Sequence, residues 1–252
     1  MPETTEELRT ASPDVRNRLA IALDTDDLVE AQRIAREVRP WFGVAKVGLE
    51  LFSAAGPDAV FTLAEEGFRI FLDLKLHDIP NTVRRAAHVI GGLGAVYLTV
   101  HATGGVVMLR AAVEGLADGA ASAGLEPPVL LAVTILTSDD TAPAHVLGNR
   151  VRVALESGCR GVVCASSDVA EVRRLAPRLT VVVPGIRPAG AAADDQARPA
   201  TPQTALDAGA DLLVVGRPVT AAADRARAAA EAVGGLQLER RRRPGDGVGR
   251  AR

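Results

Sequence analysis

Cysteine is nearly absent from this chain of 252 residues: Cys159 and Cys164 are the only two. They stand five apart across what reads as a single strand, and that odd spacing sends their side chains to opposite faces, against a planned disulfide. With no further cysteine and no histidine at ligand spacing, no zinc site is expected, and both read as small buried hydrophobes in a reducing compartment. Aromatic residues make up only 3% of the chain, so Ala, Val and Leu must fill the core. No apolar run reaches the ~18 residues of a membrane span, and the N-terminal MPETTEELRTASPDVRN has acidic residues but no apolar stretch of signal-peptide type. The expectation is a cytoplasmic protein away from the membrane. Surplus positive charge is missing outside the C-terminus: the formal charge is −2, and residues 236–252 hold six Arg against Glu239 and Asp246. The acidic remainder offers no broad face for nucleic acid, so a phosphate ligand would need a local site. No Gly-x-Gly-x-x-Gly follows the first strand, which argues against a dinucleotide fold.

What is present is a rhythm of short apolar runs, each followed by an Ala-rich amphipathic stretch, as βα units read when strands are buried on both faces. The candidate strands are Arg18 to Asp24, Gly43 to Leu49, Arg69 to Lys75, Ala95 to His101, Val129 to Leu136, Gly161 to Ala165, Thr180 to Val183 and Asp211 to Gly216. Helices are expected to begin near Asp27, Gly56, Pro80, Gly104, Pro143, Ser167, Thr201 and Pro218. Eight of each predicts an α/β fold, a single (β/α)8 TIM barrel with a closed parallel sheet and outer helices. Its expected span is residues 18–234, with a flexible N-terminal extension over 1–17 and a disordered Arg-rich tail over 235–252. The loop from Pro184 to Pro199 falls at the barrel mouth, where long loops carry function.

In such a barrel the site forms at the C-terminal ends of the strands. Polar residues end several of these otherwise apolar runs: Asp24, Lys46, Asp73 and Lys75, His101, then Arg187 and Arg217. Asp73 and Lys75 are two apart on one strand, flanked by Leu72, Leu74 and Leu76, so both point inward. Either charge alone would be costly there, so the two should be paired. Asp78 follows in the loop, too far along for strand parity to place it.

The segment DLKLHDIPNT, with Asp73, Lys75 and Asp78, resembles the signature of the orotidine 5'-monophosphate decarboxylase family. The resemblance continues through IALD ending at Asp24, KVGLELF, TVHATGG, VTILTS, PGIRP and VVGRP, from about Arg18 to Val233. It implies a lyase without cofactor or metal that converts orotidine 5'-monophosphate to uridine 5'-monophosphate and carbon dioxide. In that likeness Lys75 is the proton donor, and Lys46, Asp73, Lys75 and Asp78 form a charge array of alternating sign. Asp78 and Thr82 would reach the neighbouring site of a homodimer with shared active sites. Asp24 would bind the ribose hydroxyls, and Thr137 would contact the pyrimidine, with Ser138 as its competitor. Arg187, Gln196, Gly216 and Arg217 would grip the 5'-phosphate, and Ile79 and Pro184 complete the substrate-binding set. The role of His101 stays open.

Two rival readings remain. A magnesium-dependent relative, such as hexulose-phosphate synthase or keto-gulonate-phosphate decarboxylase, shares the Asp-x-Lys-x-x-Asp pattern. A non-catalytic barrel that senses a nucleotide needs the phosphate site but not the buried charges.

Overall fold

Strands that alternate between two apolar environments need large residues outside and residues of matched size inside. The computed structural model, which describes residues 8–136, 141–143, 145–188, 200–234 and 236, arranges them that way. Its elements run α1 (Pro13–Arg16), β1 (Leu19–Leu23), α2 (Leu28–Val38), β2 (Val44–Gly48), α3 (Leu49–Ala55), α4 (Asp58–Glu65), β3 (Arg69–Leu76), α5 (Pro80–Gly91), β4 (Tyr97–His101) and α6 (Gly105–Ser122). They continue with β5 (Val129–Val133), α7 (His145–Ser157), β6 (Gly161–Val163), α8 (Val169–Leu175), β7 (Thr180–Ile186), α9 (Pro202–Ala208), β8 (Leu212–Val215), α10 (Arg217–Thr220) and α11 (Arg225–Val233). The eight strands close into a barrel in sequence order, with β1 pairing parallel to both β2 and β8. This is the expected (β/α)8 fold.

Inside the barrel, Ala20, Ala22, Val44, Phe71, Leu131, Val133, Val163, Val182, Leu212 and Val214 form one apolar cluster. Phe71 meets Tyr97 edge-on there, ring centroids 5.8 Å apart, so two aromatics take the bulk that aliphatics cannot fill. The alternate strand residues, such as Ile21, Val47, Leu72, Leu98 and Val183, face outward and join the helices in the larger core. Among the described residues no helix is long and apolar enough to cross a membrane.

Several local expectations need correction. The helix expected from Gly56 is α4, but a short unexpected helix, α3, precedes it directly after β2 and ends at Gly56, where φ is +57°. The helix expected from Pro218 is split, with Asp224 capping α11 through its bond from Arg227 N at 2.9 Å. Strand β5 stops at Val133 rather than Leu136, since Thr134 turns both its N–H and its hydroxyl onto Val163 O, at 3.0 and 2.9 Å. Strand β7 runs on to Ile186, absorbing Pro184 and Gly185 through a bulge. Cys159 precedes β6 rather than lying on it, so strand parity does not apply: both free cysteines are buried in the outer apolar layer. The stretch expected to be a flexible extension contains α1 and is tied to the barrel by Gly43 N to Arg16 O at 2.9 Å and by Trp41 Nε1 to Arg9 O at 2.9 Å. The remaining strand ends agree to within about two residues.

Candidate active site

The inward parity of the strands carries upward from the apolar interior to a polar layer at the C-terminal rim. After Ala20 and Ala22 comes Asp24; after Val44, Lys46; after Phe71, Asp73 and then Lys75. Four charges of alternating sign result. Lys46 Nζ lies 2.9 Å from Asp24 Oδ1 and 3.7 Å from Asp73 Oδ2, and Lys75 Nζ lies 2.8 Å from the same Asp73 oxygen. Lys46 is 8% exposed, deep enough that an unpaired ammonium there would be very costly. Burial works against the Asp73 carboxylate, yet Lys46 and Lys75 outweigh it together with hydrogen bonds from Lys75 and Thr99, and the carboxyl is held below its usual range.

Two bulges shape the rim, and they lie on opposite sides of the cylinder. On β3 the register with β4 shifts between Leu72 and Leu76, and within that bulge Lys75 has φ +50°. A lysine in the left-handed region costs on the order of 1–3 kcal/mol, which surrounding contacts must offset. On β7 the register with β8 shifts between Val183 and Ile186, around Gly185 at φ +74°. Bulges re-aim side chains at barrel rims, and these two carry Asp73, Lys75 and Pro184. Lys46, Asp73 and Lys75 face Pro184 across a cavity whose remaining walls, including Phe71, Val133, Ile135, Val182 and Val214, are apolar. Such a pocket, mostly apolar with a few convergent charges, has the form of a small-molecule site.

The other expected residues fall in three groups. Asp78, Ile79 and Thr82 are exposed on the segment that opens α5; Asp78 Oδ1 accepts from Ile79 N at 2.6 Å and does not join the charge cluster of its own chain. Arg187 follows β7, 6% exposed, its N–H donating to Ala200 O at 2.9 Å, while Gly216 and the exposed Arg217 open α10. Thr137, its competitor Ser138, and Gln196 lie outside the described residues. His101 stands at the end of β4 with its ring 5.8 Å from that of His77. Burial first, then His77, Lys75 and Arg150, hold its pKa below the ordinary histidine value against the opposing effect of Asp73. These surroundings favour its neutral form.

Sequence reasoning passed over three signals. Thr99 is fully buried two residues before His101, a polar side chain at an inward position; its hydroxyl donates to Asp73 Oδ1 at 2.9 Å. Gly48 has no side chain because a Cβ there would come 2.9 Å from Asp24 Oδ1 and 3.1 Å from Lys46 Nζ. The third is lysine itself. Of the chain's 29 lysine and arginine residues, only Lys46 and Lys75 are lysines, and both are in this cluster. Arginine serves everywhere else, so the cluster holds the chain's only compact ammonium groups. Among the described residues no group of three or more His, Cys, Asp or Glu side chains is placed to hold a metal ion.

Comparisons with known proteins show the family. The profile of the Orotidine 5'-phosphate decarboxylase / HUMPS family matches residues 17–232. The chain is 48% identical to the Orotidine 5'-phosphate decarboxylase of Anaeromyxobacter dehalogenans over 230 residues, covering 87% of this chain and 98% of the relative. It is 47% identical to that of Thermobifida fusca over 233 residues, covering 87% and 95%. The crystal structure of Orotidine 5'-phosphate decarboxylase from Lactobacillus acidophilus superposes with a TM-score of 0.71 at 37% identity, over 84% of this chain and 96% of that one.

Proposed function

Since the chain belongs to the Orotidine 5'-phosphate decarboxylase / HUMPS family and decarboxylates orotidine 5'-monophosphate in pyrimidine biosynthesis, we propose that Lys46, Asp73 and Lys75 are where it does so. The observation that carries this reading is the Lys75 ammonium, 2.8 Å from Asp73, at the wall of a cavity that Lys46 shares and that is otherwise apolar. Heterolysis of the bond from C6 to the carboxylate releases carbon dioxide and leaves the electron pair on C6. An sp² carbanion of that kind needs a positive charge beside it before it needs a proton. Lys75 supplies both: its ammonium stabilises the developing charge, then one N–H proton passes to C6, giving uridine 5'-monophosphate, and the amine is reprotonated from water. Asp73 keeps the ammonium in place and repels the substrate carboxylate, a repulsion relieved when carbon dioxide leaves. Lys46 offsets the charge of Asp73 and links it to Asp24, which takes the ribose hydroxyls.

At the same C-terminal rim, Arg187, Arg217 and the side-chain-free Gly216 hold the 5'-phosphate with Gln196, and Pro184 and Thr137 bound the base. Arginine suits the phosphate because its planar fork can bind two oxygens at once. Asp78 and Thr82, exposed and outside the cluster of their own chain, complete the site of a second copy in a cytoplasmic homodimer, with Ile79 beside them.

The test is the loss of orotidylate absorbance, followed with and without a chelator. We expect chelator-insensitive turnover that falls by at least ~10⁴-fold in Lys75→Ala, the combined size of electrostatic and proton-transfer contributions, while uridine 5'-monophosphate still binds. Near-normal turnover in Lys75→Ala would remove Lys75 from its role; turnover abolished by the chelator would favour the magnesium-dependent relatives.

A further inference from the structure

The β3 bulge leaves one residue of β4 facing three of β3. Leu98 pairs with Leu72 and Val100 with Leu76, so Thr99 alone stands opposite Asp73, Leu74 and Lys75. The Lys75 N–H, displaced from the ladder, donates instead to Thr99 Oγ1 at 2.9 Å. The same oxygen donates to Asp73 Oδ1 at 2.9 Å. A hydroxyl has a single proton, and its acceptor side is engaged by the Lys75 N–H, so that proton is directed to Asp73 Oδ1. With Oδ1 tied in this way, Oδ2 is the oxygen presented to both ammonium groups, 2.8 Å from Lys75 and 3.7 Å from Lys46.

We propose that Thr99 is a positioning residue for the decarboxylation: one hydroxyl fixes both the strained backbone of Lys75 and the carboxylate that aims its ammonium. The residue does not line the cavity, so it acts through its two partners rather than on substrate. The proposal rests on the reading of Lys75 as proton donor.

Thr99→Val removes the hydroxyl at nearly constant shape, and Thr99→Ser keeps it. We expect Thr99→Val to lower kcat on the order of 10- to 100-fold, the effect of losing one hydrogen bond to a charged group, with KM changed less than about threefold. The acid limb of the kcat profile should move to higher pH, because the Asp73 carboxylate loses a donor that favours its charged form. Thr99→Ser should restore both kcat and the acid limb. A folded Thr99→Val with kcat within about threefold of the parent, or a folded Thr99→Ser as slow as Thr99→Val, overturns the proposal. Should Thr99→Val fail to fold, Thr99→Ala carries the same expectation, and failure of both to fold would make Thr99 a folding residue and overturn it too. Lys75→Ala run in parallel separates the claims. An inactive Lys75→Ala beside an unaffected Thr99→Val defeats the role of Thr99 alone, whereas an active Lys75→Ala defeats the reading beneath it.

Discussion

The two rims of the barrel both hold charged side chains in fixed contacts, but they use them differently. At the N-terminal rim the cations are arginines and their partners are mostly backbone carbonyls. Arg173 donates to Gly209 O at 2.7 and 2.9 Å, to Leu179 O at 2.6 Å and to Asp211 Oδ2 at 2.5 Å, while Asp211 Oδ2 also accepts from Val181 N at 2.8 Å. Arg18 reaches Asp211 O at 3.2 Å, Arg69 reaches Asn17 O at 2.8 Å, and Arg160 reaches Pro127 O at 2.8 Å. These forks fasten the chain ends that enter β1, β3, β6, β7 and β8. In the charge cluster at the C-terminal rim the cations are lysines, their partners are carboxylates, and the backbone of Lys75 is strained. A fork with fixed geometry suits a clamp; a compact group that gives up a proton suits a reaction. The difference teaches that one end of this molecule is built to hold and the other to act, as general experience with this fold leads one to expect.

That division can be broken or sharpened from either end. The largest expected effect is at the C-terminal rim. If Asp78 completes the neighbouring site, Lys75→Ala and Asp78→Ala are each nearly inactive alone, yet mixed subunits regain activity. With random assortment half the dimers are mixed and each holds one whole site, so about a quarter of parental activity should return. No recovery in dimers shown to be mixed would count against shared sites. The smaller effect is at the N-terminal rim. Arg173→Ala removes the donor shared by the carbonyls of Gly209, Leu179 and Pro177 and by Asp211 and should cost about 2–4 kcal/mol of stability. For a domain of this size that is a fall in Tm of roughly 5–15 °C, with kcat for orotidylate at 25 °C unchanged. A loss of kcat without a fall in Tm would erase the distinction between the rims.

Much of this was legible in the sequence, for physical reasons that differ by feature. The barrel was readable because strands buried on both faces leave apolar runs, and eight of them admit few other closures. The Asp73–Lys75 pair was readable because strand parity survives the bulge, as their 2.8 Å contact shows. The bulge itself was not: nothing in RIFLDLKL marks the lysine at φ +50°, since the strain is held by Thr99 on another strand. Asp24 was expected as a ribose ligand, but not that it would extend the charge array through Lys46. The short α3 was missed because it follows β2 with no intervening loop, and the break before Asp224 because the Ala-rich stretch runs across it. The scarcity of lysine needed no structure to be seen, although it acquires meaning only once both lysines are found side by side.

That scarcity also provides the most direct test of the central claim, that the two lysines face one nucleotide-binding cavity. Protein labelled at lysine Cε gives side-chain resonances from Lys46 and Lys75 alone, assignable with Lys46→Arg and Lys75→Arg. Titration with uridine 5'-monophosphate should move both resonances along curves with the same apparent Kd. If either stays fixed at saturation, the lysines do not share the site and the claim is contradicted.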